Sequence, residues 1–159
     1  TEKYEFLKHF KRGGISHCNK MGLHSAGYMG VDITSQYPAS MVHMKIPAGK
    51  SIWVDKYDSI AHGFYHLKNL KFNSTRNFKP CADFIEGHSL NWSANEIADC
   101  YLDTYLIKYL VEHYGLRIDE CVVVSGLVSN KEIDGDEVFG GFVNPIFQEK
   151  KYGLLQRTI

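Results

Sequence analysis

The sequence predicts an α+β fold in which antiparallel strands dominate and two or three helices are set among them. Strand-like segments come in runs instead of alternating with helices, which disfavours a parallel βαβ sheet. Residues 62–72 (HGFYHLKNLKF) carry the period-2 pattern of a half-buried strand. Residues 103–115 carry the apolar spacing of a helix together with its start and stop signals. At 159 residues the chain is one domain by length, or a domain carrying a large insertion.

The elements follow in order. Residues 2–11 space Tyr4, Leu7 and Phe10 on one helical face, and Gly13-Gly14 ends that helix. ISHC at 15–18 reads as a short strand, 19–27 as a turn, and YMGVDIT at 28–34 as a buried strand. SQYPASMVHM at 35–44 reads as a short helix, with Pro38 in its first turn, where a missing N–H is harmless. IPAG at 46–49 reads as a turn, and 51–54, 59–72, 80–85 and 96–102 as strands, with loops at 73–79 and 87–95. In 62–72 the alternation places Phe64, His66, Lys68, Leu70 and Phe72 on one face.

Asp103-Thr104 opens the best-marked helix, Leu106, Ile107, Leu110, Val111 and Tyr114 line one side, and Gly115 closes it. Ile118 to Val128 is a hydrophobic strand and NKEIDGDE at 130–137 a turn. Val138/Phe139, Phe142/Val143 and Ile146/Phe147 recur at four-residue spacing. They predict a last helix, weakened or kinked by Gly140-Gly141 and Pro145.

Composition excludes several classes. Lys+Arg and Asp+Glu are both 18, so the chain lacks the cationic excess of a polybasic nucleic-acid binder, although a local basic groove remains open. A hydrophobic content of 44% excludes a disordered tail. Cys18, Cys81, Cys100 and Cys121 form no CxxC, which leaves neither a zinc ribbon nor a thioredoxin-type site. Their sparseness favours a reducing, intracellular compartment. No segment reads as a signal peptide, and the apolar runs are far shorter than the roughly 20 residues of a membrane span. The chain opens at Thr1 and ends within what reads as a continuing segment, so a piece of a longer polypeptide is expected.

The informative stretch is YMGVDITSQYPASM, residues 28–41. Asp32 stands at the end of an apolar strand, followed at once by a polar turn and a helix start. A carboxylate there can hold a divalent cation alongside substrate phosphates. The amides entering the helix can face a phosphate. Tyr37 can form a flat wall under a sugar. The plainer alternative makes Asp32 a helix N-cap and Tyr37 a core residue.

The pattern DxxSxYPxxM resembles motif A of the family B DNA polymerases, usually DxxSLYPS. Lys11-Arg12-Gly13-Gly14 resembles that family's YxGG segment, and Pro47-Ala48-Gly49 resembles the PxG that follows motif A in the protein-primed branch. EIADCYLDTYLIKYLVEHYGL, followed by a strand ending in Ser125-Gly126-Leu127, resembles that branch's insertion. The resemblance implies a palm start over 1–46, a terminal-protein-region insertion over 47–136, and a helix returning to the palm over 137–159.

It further implies Asp32 as one of two catalytic metal-binding carboxylates, for Mg²⁺ or Mn²⁺, with the Ile33 carbonyl completing the coordination. Ser35 would lie against the incoming triphosphate and Gln36 at the nucleotide floor. Tyr37 would pack on the deoxyribose and exclude a 2′-hydroxyl. Lys11, Arg12, Gly13 and Gly14 would approach the DNA template. The implied partners are primer and template DNA, a dNTP and a terminal protein whose hydroxyl starts synthesis, in the interior of a host cell carrying a phage or plasmid. The exposed basic residues Lys68, Lys71, Arg76 and Lys79 are candidates for the insertion's binding surface, or else belong to solvated strand edges and a loop.

Gln36 replaces the family's usual Leu, and Lys11 replaces the YxGG tyrosine. The KxxxNSxYG and DTD segments are missing, so the second carboxylate must come from outside this chain and the isolated chain is expected to be inactive. Asp103-Thr104-Tyr105 lacks the second aspartate of DTD and reads better as a helix N-cap. Two other readings stay open: a non-catalytic module that binds terminal protein or DNA, and an inactive relic.

Other clusters read as structural. His62 and His66, four apart on a strand, lie about 13 Å apart along it, too far for a metal pair. His17, Cys18 and His24 lack a fourth ligand at suitable spacing. Residues 134–137 lack the ligand spacing of a calcium loop.

Overall fold

A computed structural model describes residues 2–11, 22, 29–30, 36–76, 79–81, 84–85, 89–90 and 93–151. Among them the fold is α+β, as expected, with helices α1 (Glu2–Lys8), α2 (Gln36–His43), α3 (Thr104–Tyr114) and α4 (Gly141–Lys151). The strands are β1 (Lys45–Val54), β2 (His62–Lys71), β3 (Phe84–Ile85), β4 (Ser89–Leu90), β5 (Glu96–Asp103) and β6 (Val122–Asp134). Four of them form an antiparallel sheet in the order β1-β6-β2-β5, and β3 pairs with β4. The chain divides into two compact units, residues 1–12 with 47–132, and residues 13–46 with 133–159.

In the first unit the sheet is covered on both faces. Tyr65 and Leu67 of β2, Cys100 and Leu102 of β5 and Val128 of β6 pack with Ile107 and Leu110 of α3 in the main core. The opposite face carries α1, through Phe6 against Trp53 of β1 and Phe10 against Phe64 of β2. The Tyr65 ring lies over two glycines. A Cβ added at Gly63 would come within 2.8 Å of its Cε2, and one added at Gly126 within 2.7 Å of its Cδ1.

The strict alternation expected for 62–72 breaks midway. Tyr65 and Leu67 are buried, Lys68 and Asn69 are exposed, and Leu70 and Phe72 are buried again. Asn69 adopts φ +58°, a left-handed conformation that asparagine tolerates, and it resets the phase. The partner strand resets with it: Leu67 faces Cys100 and Leu70 faces Ile97, all four buried. On the other side, register shifts between His66 and Leu67, whose partners are Ser125 and Val123, so Val124 is the extra residue of a bulge.

The turn from β5 into α3 follows the sequence signals. Asp103 Oδ1 accepts from the Leu106 N–H at 2.9 Å, which is an N-cap. Gly115 takes φ +61° as the left-handed residue that ends the helix. The ladder between β2 and β5 stops at the Phe64–Asp103 pair because the backbone then coils. Thr104, 2% exposed, continues it with a side chain: its Oγ1 accepts from the Gly63 N–H at 2.8 Å and donates to the Gly63 carbonyl at 3.1 Å.

Three expectations need correction. Ile46-Pro47-Ala48-Gly49 is not a turn but part of β1, an edge strand, where proline's missing donor breaks no ladder. β6 begins only at Val122, after a 3₁₀ turn at Ile118–Glu120, and runs through the expected turn to Asp134. Residues 80 and 81 form a turn, and of the strand expected over 80–85 the described pair Phe84–Ile85 forms β3, paired with β4.

In the second unit, the kink expected near Gly140-Gly141 is a π-helical turn, Asp136–Gly140, leading into α4 with Pro145 inside it. Gly135 abuts α2: its N–H donates to the Met44 carbonyl at 2.8 Å. Its Cα has no room for a side chain, since a Cβ would fall 1.9 Å from the Met41 oxygen. Lys45 pairs with Asp134 beside it. Of the strand expected over 28–34 only Met29 and Gly30 are described; neither is in a strand and Met29 is 88% exposed. The strand expected at 15–18 lies outside the described residues.

Candidate functional site

The described part of the expected site is the start of α2. The helix begins at Gln36, directly after Asp32–Ser35, so Gln36, Tyr37 and Pro38 form its first turn. Its opening N–H groups have no intrahelical acceptor, and Pro38 falls where it sacrifices none. Tyr37 is 78% exposed. That placement does not fit the alternative in which Tyr37 is a core residue. Gln36 is exposed as well. Asp32, Ile33 and Ser35 lie outside the described residues, as do Arg12, Gly13 and Gly14. Lys11 is described and exposed.

A second cluster was not legible in the sequence. Tyr101 of β5 stacks on His9, with centroids 4.4 Å apart and planes 11° apart, and on His66, at 4.2 Å and 9°. Two rings this close and parallel to a third must lie on its opposite faces, so Tyr101 is sandwiched. Phe6 and Phe10 meet it edge-on. His66 Nε2 lies 2.9 Å from both oxygens of Asp99. Burial first, and the charge of Asp99 second, push the Tyr101 phenol above its ordinary pKa. The pairing of His66 with Tyr101 across β2 and β5, and the chain's first ten residues lying over that face, bring these residues together.

His62 and His66 serve separate carboxylates. His62 Nδ1 is 2.9 Å from Glu132 Oε1, without the alignment of a hydrogen bond, and Tyr105 donates to the same oxygen at 3.1 Å. Among the described residues no three of His, Cys, Asp and Glu converge as a metal site.

The expected basic surface is only partly present. Arg76 is exposed, and Lys68 is half exposed, 3.8 Å from Asp99. Lys79 is instead buried at 1% exposure: its Nζ donates to the Arg76 carbonyl and to Asn95 Oδ1, both at 3.1 Å, and sits 5.5 Å from the Phe72 ring centre. It ties the 73–76 loop to the approach to β5 and is not a surface cation. Cys81 and Cys100 are buried, and burial raises the pKa of the Cys121 thiol, which opposes the nucleophilic thiolate form. No helix among the described residues is long and apolar enough to cross a membrane.

No protein-family model matches the chain, and no curated protein matches it by sequence. Solved structures do match by shape. Phi29 DNA polymerase in an orthorhombic crystal form aligns with a TM-score of 0.54 at 22% identity, over 76% of this chain and 22% of that one. The same polymerase complexed with primer-template DNA, a post-translocation binary complex, gives 0.53 at 22% identity, over 76% of this chain and 21% of that one. Its ternary complex with primer-template DNA and incoming nucleotide substrates gives 0.50 at 22% identity, over 72% and 21%. The chain therefore shares the fold of a segment of phi29 DNA polymerase, and it spans about a fifth of that polymerase.

Proposed function

We propose that this chain is the palm-and-insertion segment of a protein-primed family B DNA polymerase. The observation that carries the reading is the placement of Tyr37, exposed on the first turn of a helix that starts immediately after DITS. The likeness in fold to phi29 DNA polymerase supports the same reading independently. Asp32 and the Ile33 carbonyl supply half of a site for Mg²⁺ or Mn²⁺. A single carboxylate with one carbonyl suits a hard cation that also takes phosphate oxygens, and the second carboxylate comes from elsewhere in the parent polypeptide. When bound, the metal pair supplies charge stabilisation and an activated primer hydroxyl.

The chain's own residues orient and exclude. The amides at Ser35 and Gln36 face the triphosphate, and Tyr37 closes the sugar side against a 2′-hydroxyl. Lys11, Arg12, Gly13 and Gly14 follow the template. Residues 47–136 form the insertion that meets the terminal protein, with Arg76 and Lys68 on its surface. The partners are primer-template DNA, dNTPs and terminal protein.

Primer extension by the full-length parent tests this. Asp32→Asn lowers incorporation by about a thousandfold, the equivalent of several kcal/mol of lost charge stabilisation, while DNA binding persists. Tyr37→Val raises ribonucleotide use relative to deoxyribonucleotide use. The isolated 159-residue chain incorporates nothing. Full incorporation by Asp32→Asn would refute the catalytic role. If residues 47–136 were nonetheless needed to capture terminal protein, a binding module would remain.

A further inference from the structure

Beside the Tyr101 stack, on the α1 face of the sheet, lies an open groove of about 640 Å³. Phe6 and Trp53 meet edge to face in its wall at 5.0 Å, with Tyr101 beyond Phe6, and His9 and Glu5 also line it. Its rim is acidic, with Glu2 and Asp55 exposed on it. Two lysines of α1 are engaged elsewhere. Lys8 is clasped by both oxygens of Glu5 at 2.9 and 3.0 Å, and Lys3 donates to the Ser51 carbonyl at 2.6 Å and hydroxyl at 3.1 Å. Glu2 and Asp55 have no cation partner among the described residues.

Aromatic faces attract cations, tryptophan most strongly, and a flanking carboxylate adds a second attraction of the same sign. The same carboxylates repel phosphates. Arginine suits this combination better than lysine, because its planar guanidinium stacks on a ring while its fork bonds a carboxylate. We propose that this groove docks an arginine-bearing segment of a protein partner, with Trp53 and Phe6 holding a guanidinium between the carboxylates of Glu2 and Asp55. The inference rests in part on the proposed function, because Trp53 and Asp55 lie in the insertion over 47–136, and the peptide titration below reads it without nucleotide incorporation.

The test is isothermal titration of the 159-residue chain with a capped tetra-arginine peptide at moderate salt. A Kd of about 0.1–1 mM is expected, several-fold tighter than for capped tetra-lysine. Glu2→Gln with Asp55→Asn weakens binding about tenfold, and Trp53→Leu about fivefold although it changes no charge. Trp53→Phe keeps a ring and restores most of the affinity, which separates a binding role from a folding one. Glu112→Gln, a carboxylate on α3, changes nothing.

No titration at millimolar peptide would overturn the proposal. So would equal weakening by Glu112→Gln, or an affinity indifferent to Trp53→Leu, since either marks diffuse charge attraction. Concentration-dependent self-association that Trp53→Leu abolishes, without peptide binding, would assign the groove to a second copy of the chain and refute an arginine-bearing partner.

Discussion

Replacing Thr104 by valine isolates one hydroxyl at the junction of β5 and α3. The side chain keeps its volume, so packing against β2 is retained, but the three polar contacts of its hydroxyl vanish. The Gly63 N–H loses its acceptor at 2.8 Å, and the Gly63 and Ala61 carbonyls lose a donor at 3.1 and 3.2 Å. Gly63 is buried, so water cannot replace the hydroxyl. An unpaired buried donor costs about 1–3 kcal/mol, and a value near 2 kcal/mol follows for Thr104→Val. For a chain of this size that corresponds to a fall in Tm of about 4–8 °C. Thr104→Ser keeps the hydroxyl and loses a buried methyl, at about 1 kcal/mol. Urea unfolding followed by circular dichroism reads both, with an unchanged m-value showing that only stability has moved. If Thr104→Val lay within 0.5 kcal/mol of the unaltered protein, or if serine proved worse than valine, the hydroxyl could not be the element that extends the ladder.

Three further outcomes are expected. Asp103→Ala, which removes the cap on α3, costs about 1 kcal/mol in the same urea assay, whereas Asp103→Asn is close to neutral. Gly135→Ala forces a methyl onto the Met41 carbonyl and costs about 3 kcal/mol, seen as faster amide exchange over α2; unchanged exchange there would contradict the close approach. Burial raises the Tyr65 phenol above its ordinary pKa, with the charge of Asp58 adding to it and a hydrogen bond to Asp58 opposing it. The folded state therefore favours the protonated phenol. Its stabilising effect is complete below the unfolded value of about 10 and disappears as pH climbs through the raised folded value. Tyr65→Phe should flatten the decline of stability above pH 10, and a steeper decline would count against this.

Local chemistry was the legible part of the fold. Asp103 and Gly115 bracket α3 because capping depends on a few neighbouring residues, and Pro38 marks α2 for the same reason. Where partners decide, the reading slipped. Pro47 looks like a turn residue until β1 is known to be a sheet edge. Asn130 to Asp134 look like a turn because the polar residues of a strand's exposed end resemble loop residues. The alternation of 62–72 gives no sign of the reset at Asn69, which requires a matching reset in β5. Lys79 counts as a surface cation in any composition argument; carbonyls of Arg76 and Asn95 Oδ1 explain why it is buried. Of the candidate site, the DxxSxYP pattern was visible as text, and the exposure of Tyr37 fits it. The sandwich of His9, Tyr101 and His66 was invisible, because it joins three segments distant along the chain.

The ring of Tyr65 rests where two neighbours have given up their side chains. Positions 63, 65 and 126 thus share one volume, which Val128 closes beside Gly63 and Val54 beside Gly126. A homologue with alanine at 63 or 126 should carry something smaller than tyrosine at 65, and these positions should drift together through evolution with 128 and 54. An engineer who wishes to enlarge either glycine must shrink the tyrosine in the same step, and the neighbouring valine with it.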